Sequence, residues 1–196
     1  MLYLFPLLCY LLGSLPMAYL LSRFGYGIDI RTQGSGNIGA TNALRTLGNR
    51  AGAVVLLLDM VKVLLPLTVG RILQLPGHIL LYGGAAAVIG HNWPIFLRFK
   101  GGKGVAVSAG LLLFFYPVPG LIAVLVFIAV IAKSRYASLA SLLCAGIAPL
   151  AVYLCGYSDW DVAYTGVLAA LLVYQHRGNI QRLLTGSERK LSFSKS

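Results

Sequence analysis

Residues 105–132 read VAVSAGLLLFFYPVPGLIAVLVFIAVIA, and whether this stretch crosses a bilayer once or twice decides the fold. As one straight helix, 28 residues would extend ~42 Å, against a hydrocarbon core of ~30 Å. Tilt absorbs part of such an excess. The middle of the stretch, however, is Tyr116-Pro117-Val118-Pro119-Gly120. Two prolines and a glycine so close together break a helix. The segment is therefore one kinked span or two short helices folded as a hairpin.

Charge separates the two. Five other apolar segments lie at about 2–22, 52–73, 78–97, 137–156 and 161–175. No basic residue precedes the first, whose first cation is Arg23, so it reads as a retained span with its N-terminus outside rather than a cleaved leader. With a hairpin at 105–132, one side collects the cations of residues 23–50, those of 98–104, Lys133, Arg135, and the tail cations out to Lys195. That is fourteen of the sixteen Lys and Arg. Only Lys62 and Arg71, both within the second span, are left over. A single span at 105–132 leaves seven on that side. Cytoplasmic loops carry the excess of Lys and Arg, which favours the hairpin. The acidic loop Ser158–Asp161 then falls outside. The expected fold is an all-α polytopic membrane protein with seven transmembrane helices, the fourth and fifth short. Its N-terminus is outside and its C-terminus cytoplasmic, with residues 1–196 forming one integral membrane domain.

Composition agrees. The chain is 58% hydrophobic and 11% charged, with a mean hydropathy of +0.82. Soluble domains are about half apolar at most and roughly 25% charged. Apolar runs of about 20 residues mean helices rather than barrel strands. The net charge of +11 belongs to membrane-flanking loops, and no nucleic-acid-binding motif accompanies it. Cys9, Cys144 and Cys155 are scattered in apolar runs, with neither disulfide nor zinc spacing.

Three polar loops interrupt this oily chain on the same expected side: SGNIGATNALR (35–45), RFKGGKG (98–104) and HRGNIQR (176–182). Cations and bare backbone N–H groups gathered at one membrane face suit phosphate-bearing molecules. In the second loop Gly101, Gly102 and Gly104 precede an apolar helix, and Lys100 and Lys103 supply full charges. The spacing is not that of a Walker loop, and a flexible basic loop is the plainer alternative. In the first, Ser35 and Asn37 are good N-cap types. A helix over 39–47 puts Thr41 and Arg45 on one face, where Arg45 offers a two-pronged fork to phosphate. In the third, His176 ends a span and is a candidate acid–base or anion-binding group. Asn179 is placed to cap a short amphipathic helix over 180–185 that stops at Gly186.

Polar residues inside apolar helices should face other helices. His91 and Asn92 either line the site or hold loops together. Asp59 and Lys62, three apart, read as a structural ion pair or a proton relay. Ser134, Ser138 and Ser141 form a polar stripe at the start of the sixth helix: either helix packing or a wall of the site.

The segments SGNIGATN, GHNWPIFLRFKGGKGVA and HRGNIQRLLTGSE resemble the three cytoplasmic motifs of the bacterial acyl-phosphate:glycerol-3-phosphate acyltransferases, the PlsY family, and the resemblance covers essentially the whole chain. It implies transfer of a fatty acyl group from acyl phosphate to the 1-hydroxyl of sn-glycerol 3-phosphate, giving lysophosphatidic acid and phosphate, without acyl-CoA, cofactor or metal. It carries Ser35, Arg45, Gly101–Gly104 with Lys103, His176, Asn179 and Glu188 over as functional positions. Together with the residue readings, Ser35, Asn37, Thr41, Arg45, Lys100, Gly101, Gly102, Lys103 and Gly104 are candidate substrate ligands, as are Ser141, His176 and Asn179. His91, Asn92 and Glu188 support them.

Acyl phosphate is already activated, so no covalent nucleophile is required, and no Ser–His–Asp motif is present. Positioning two anions side by side, with cations offsetting their repulsion, is expected to supply much of the rate. The hydroxyl proton goes to His176, to His91, or, as favoured here, to the substrate phosphate. Implied partners are the two substrates and membrane lipid, with no nucleic acid; a soluble acyl-phosphate-forming enzyme docking on the inner face is a further candidate. A phosphate or organophosphate transporter is the rival class, but it should show inverted repeats and midplane ligands, which the sequence lacks. A non-catalytic subunit binding anionic lipid is a second, though it has no need of glycine-rich turns.

Overall fold

The computed structural model describes residues 4–191; Lys195 and residues 2–3, used above, lie outside them. The described residues contain no strand. The α-helices are α1 (Leu4–Gly13), α2 (Met17–Leu20), α3 (Ala40–Leu47), α4 (Asn49–Ile72), α5 (Gly77–Asn92), α6 (Val105–Phe115), α7 (Pro117–Ser134), α8 (Ala137–Leu154), α9 (Asp159–Gln175) and α10 (Arg177–Leu184). Five helical stretches are long and apolar enough to cross a membrane: Leu4–Gly25, Asn49–Ile72, Gly77–Leu97, Pro117–Ser134 and Ala137–Leu154.

The decisive stretch breaks at Tyr116 (φ −134°, ψ 70°). Pro117 and Pro119 do not delay the second helix; they open it. First-turn N–H groups have no intrahelical acceptor, so proline costs no hydrogen bond there. α7 therefore keeps 18 residues, and the expectation of a short fifth helix is corrected. α6 is short: its 11 residues extend only ~16 Å. The acidic stretch expected as a loop is instead the first turn of α9. Ser158 and Asp161 form a reciprocal cap there, with Asp161 N–H donating to Ser158 Oγ at 3.3 Å and Ser158 N–H to Asp161 Oδ2 at 3.2 Å. Carboxylates at a helix start also suit its dipole.

The described chain divides into two compact units, one running to Leu111 and one beginning at Leu112. In the first, α1 packs along α5. A methyl on Gly13 would overlap the Ala87 backbone, and one on Gly90 would overlap the Tyr10 carbonyl. Small residues let the two backbones approach where lipid provides no hydrophobic drive. Beside them Ala18, Ile30, Ile38, Ala43 and Val55 form a buried cluster under the segment leading into α3. Outward-facing Leu57 and Leu65 of α4 are exposed, as a lipid-facing stripe requires.

In the second unit α8 packs against both α7 and α9. Tyr116 Oη donates to Asp161 Oδ1 at 2.8 Å, tying the break before α7 to the start of α9. Leu191 N–H donates to the Arg135 carbonyl at 2.7 Å, and its side chain is buried.

Candidate active site

The first polar loop folds around Asn42. Its Oδ1 accepts from Ser35 N–H at 2.9 Å. Its two Nδ2 protons are shared among the carbonyls of Asn37 (2.9 Å), Gln33 (3.0 Å) and Ile30 (3.3 Å). One buried amide thus satisfies backbone groups on both sides of the turn. Gly34 (φ +58°) leaves room for it, since a side chain there would collide with Asn42 Oδ1. Ser35 and Asn37 are therefore not helix caps: Gly39 holds the N-cap position of α3, without a side-chain bond. Ser35 stays exposed, its Oγ 3.4 Å from Asn37 N–H. Thr41 and Arg45 lie one turn apart on α3, both half-buried. Upstream, Arg31 grips the Asp29 carboxylate with Nε at 2.9 Å and Nη2 at 2.6 Å. That side-chain bond, with the Arg31 N–H, holds the Asp29 carboxyl down at about 2.

The second loop lies on α5. After a 3₁₀ turn at Ile95–Leu97, Arg98 (φ +51°) and Phe99 (φ +60°) both take left-handed backbone. Gly102 N–H donates to the His91 carbonyl at 3.0 Å. A methyl on Gly101 would overlap the His91 carbonyl and Pro94, and one on Gly102 would overlap His91 Nε2. Gly104 (φ +80°) sits 2.9 Å, by its missing Cβ, from Asn92 Oδ1. The glycines are thus fixed by packing as well as by any ligand: His91 and Asn92, both buried, form the floor of the loop. Directly after Gly104, α6 begins and presents its first N–H groups and positive dipole end. Lys103, half-buried, belongs to this turn. Lys100 lines a cavity of about 470 Å³ with Arg31, Phe96, Leu97 and Arg98. Arg31 and Arg98 were counted in the sequence only as topology markers.

Beneath the loop, Lys62 Nζ is 2.9 Å from Asp59 Oδ1, and both side chains are 2% exposed. The same ammonium reaches the Leu15 carbonyl at 2.9 Å and His91 Nδ1 at 2.9 Å. The two residues do form an ion pair, and it includes a histidine that spacing along the chain could not connect to it.

In the second unit the third loop is organised by Glu188. Its Oε1 accepts from Asn179 Nδ2 (2.7 Å) and Ser138 Oγ (2.8 Å), and its Oε2 accepts from Arg182 Nε (2.7 Å). Burial raises the carboxyl, but these three donors outweigh it and hold it below its ordinary value. Asn179 is not a cap: α10 starts at Arg177, so the residue lies inside the helix and turns its amide to Glu188. Gly186 (φ +69°) lies just past the end of α10. His176 joins α9 to α10, and its Nδ1 lies 2.9 Å from the Leu172 carbonyl. A carbonyl only accepts, so Nδ1 carries the proton, and in the neutral ring Nε2 is the acceptor. Of the serine stripe, Ser134 belongs to the end of α7, bonding Val130, and Ser141 donates to Ala137 on its own helix at 2.8 Å. Only Ser138 reaches out, to Glu188. Among the described residues no three His, Cys, Asp or Glu side chains group as a metal site would.

Comparison with known proteins fixes the family. The sequence model described as glycerol-3-phosphate acyltransferase matches residues 3–186. The chain is 49% identical to the glycerol-3-phosphate acyltransferase of Desulforudis audaxviator, over 96% of this chain and 94% of that one. It is 45% identical to that of Geobacillus kaustophilus, over 95% and 94%. The chain belongs to the glycerol-3-phosphate acyltransferase family. Its fold is similar to the crystal structure of PlsY (YgiH), an integral membrane glycerol 3-phosphate acyltransferase, in its glycerol 3-phosphate form. The TM-score is 0.91 at 37% identity, covering 97% of this chain and 96% of that one. The lysophosphatidic acid form of PlsY gives 0.89 at 36% identity, covering 98% and 96%. The protein is thus a multi-pass integral membrane enzyme of the acyltransferase class.

Within this acyltransferase, the first two motifs lie in the first unit, one organised by Asn42 and the other by His91 and Asn92, and the third is organised by Glu188 in the second. Asn42 was quoted in the first motif without a role. The signal for it was available: an Asn inside a short helix competes with backbone groups unless given loop carbonyls to bond.

Proposed function

We propose that the protein transfers a fatty acyl group from acyl phosphate to the 1-hydroxyl of glycerol 3-phosphate, releasing lysophosphatidic acid and phosphate. The observation that carries the reading is the likeness, at TM-score 0.91 over 97% of the chain, to a PlsY structure in its glycerol 3-phosphate form. The chemistry of the loops supports it. Both substrates bear phosphate, and each unit offers a cluster suited to an anion. In the first unit these are the amides before α6 with Lys103, and Thr41 and Arg45 of α3 with Ser35 and Asn37 of the loop that leads into it. Lys100 extends the cationic surface. In the second unit they are His176 and Asn179, with Ser141 one turn beyond Ser138.

Phosphate is a good leaving group, so attack by the glycerol hydroxyl on the acyl carbonyl needs alignment and charge compensation rather than a covalent intermediate. The phosphate of the substrate takes the hydroxyl proton in this scheme. His176, with Nε2 as its acceptor nitrogen, is the protein alternative. His91, bound to Lys62, serves the loop.

The whole chain, 1–196, acts as one integral membrane domain of the bacterial inner membrane, crossing it seven times with its N-terminus outside. The break at Tyr116 and the one-sided distribution of cations support that count. The reaction calls on no cofactor. A soluble enzyme that forms acyl phosphate is a fitting partner at the cationic face. Purified protein in detergent, given acyl phosphate and labelled glycerol 3-phosphate, should release lysophosphatidic acid unaided. Uptake into vesicles without that product would replace the enzyme by a transporter.

A further inference from the structure

Lys62 Nζ is a junction of three segments. It contacts the Leu15 carbonyl between α1 and α2, Asp59 on its own α4, and His91 Nδ1 on α5, each at 2.9 Å. An ammonium carries only donors, so toward a ring nitrogen it can only donate. His91 Nδ1 must then accept, which leaves the ring proton on Nε2. That end of the ring abuts Gly102, whose missing side chain is the space it occupies. The His91 carbonyl simultaneously holds Gly102 N–H at 3.0 Å.

We propose that His91 is a positioning residue for the substrate phosphate: held by Lys62 and Asp59, its ring sets the height and tilt of Gly101–Gly104, so that the amides entering α6 converge on the anion. The proposal rests on the reading of that loop as a phosphate site. It gives the buried ion pair a task beyond neutralising itself. A charge pair deep in a span costs desolvation that apolar residues would avoid. A Leu or Met at position 62 would pack without that cost, but it could not orient an imidazole. Asp59 neutralises the ammonium, and His91 Nδ1 lies 3.6 Å from the same Asp59 oxygen, so the ring meets both members of the pair.

The test is a steady-state comparison of H91N, H91Q, the double variant D59N/K62M and K103Q, with KM measured separately for glycerol 3-phosphate and acyl phosphate. Gln places a donor where Nε2–H stands; Asn does not. The double variant removes both charges at once, so that no lone ion is left buried to unfold the protein, and thermal melting in detergent checks each sample. The expected result is a rise of about tenfold or more in KM for one substrate in H91N and in the double variant, with kcat within about threefold, and recovery of most of that loss in H91Q. Equal losses in H91N and H91Q would reduce His91 to packing and overturn the proposal. So would unchanged KM values in both H91N and the double variant while K103Q raises one. If K103Q also changes neither KM, the reading of the loop as a phosphate site fails first, and the role for His91 falls with it.

Discussion

The side-chain amide of Asn179 donates to Glu188 Oε1 at 2.7 Å and, with the Arg182 bond to Oε2, joins α10 to the chain segment after it. Ser138 Oγ on α8 reaches the same oxygen at 2.8 Å. The carboxylate, with its side chain 5% exposed, is the clamp of the third loop. Glu188→Ala leaves the Asn179 amide and Ser138 hydroxyl without it, at roughly 1–3 kcal/mol. A fall in melting temperature should accompany loss of activity. A variant that melts like the parent yet is inactive would instead make Glu188 a direct participant.

The same carboxylate sets an acid limit. Its folded pKa lies below the ordinary 4.5 because Asn179, Ser138 and Arg182 donations outweigh burial. A depressed carboxyl contributes stability that is fully present above the ordinary value and lost as pH falls through the folded one. The contribution of Glu188 should therefore be constant from neutral pH down to about 5 and disappear below the ordinary range. Melting curves of the parent and Glu188→Gln should converge as the pH is lowered through that window. Parallel curves across it would remove Glu188 from the acid response.

Asn42 supports a sharper comparison. Its amide accepts from Ser35 N–H and shares its two protons among three carbonyls. Asn42→Asp keeps the acceptor but turns a carboxylate toward those carbonyls. Asn42→Ala removes both functions. Each change should cost about 2–4 kcal/mol, as a buried network loses its partners, and Asp should be no better than Ala. Stability ranked by melting in detergent decides this; an Asp variant close to the parent would mean the carbonyls find other donors.

How much of this was open to the sequence depends on whether the determining contact is local. The break at Tyr116 was legible, because proline and glycine act through their own backbone. The length of α7 was misjudged for a local reason too: proline is a breaker only where its N–H would have been used. The Asp59–Lys62 spacing announced a pair, but not His91, twenty-nine residues on. The glycines of 101–104 signalled a close approach without naming what approaches. A ligand was the natural guess, and the packing partner is the α5 terminus. Asn179 looked like a cap because Asn often is one; its partner Glu188 lies beyond the helix end, at a distance no helical periodicity marks.

Topology has its own test. The proposed seven crossings would place positions 134 and 190 on the cytoplasmic side together with the three motif loops. Single cysteines introduced at these positions, in a background lacking Cys9, Cys144 and Cys155, should react with an impermeant thiol reagent only after the membrane is opened. Labelling of both from outside in intact cells would mean that 105–132 crosses once despite the break at Tyr116.

Gly102 and Gly104 should fail for different reasons. Gly102 needs empty space: a methyl there meets His91 Nε2. Since Lys62 holds that ring, the loop must move instead, and Gly102→Ala should lower kcat/KM by about a hundredfold, on the order of 2.7 kcal/mol in transition-state binding. Gly104 needs its backbone as well: at φ +80°, with Asn92 Oδ1 2.9 Å from the missing Cβ, alanine adds strain of about 1–2 kcal/mol to any lost contact. Gly104→Ala should therefore lower the melting temperature as well as activity. Trimming the floor discriminates between the two. Combining Gly102→Ala with His91→Ala removes the overlap and should recover part of the loop geometry, giving a double variant more active than the sum of the single losses. The same cycle with Gly104→Ala should be additive, because its penalty lies in φ rather than in His91. Additivity in both cycles would mean that the loop does not bear on the ring at all.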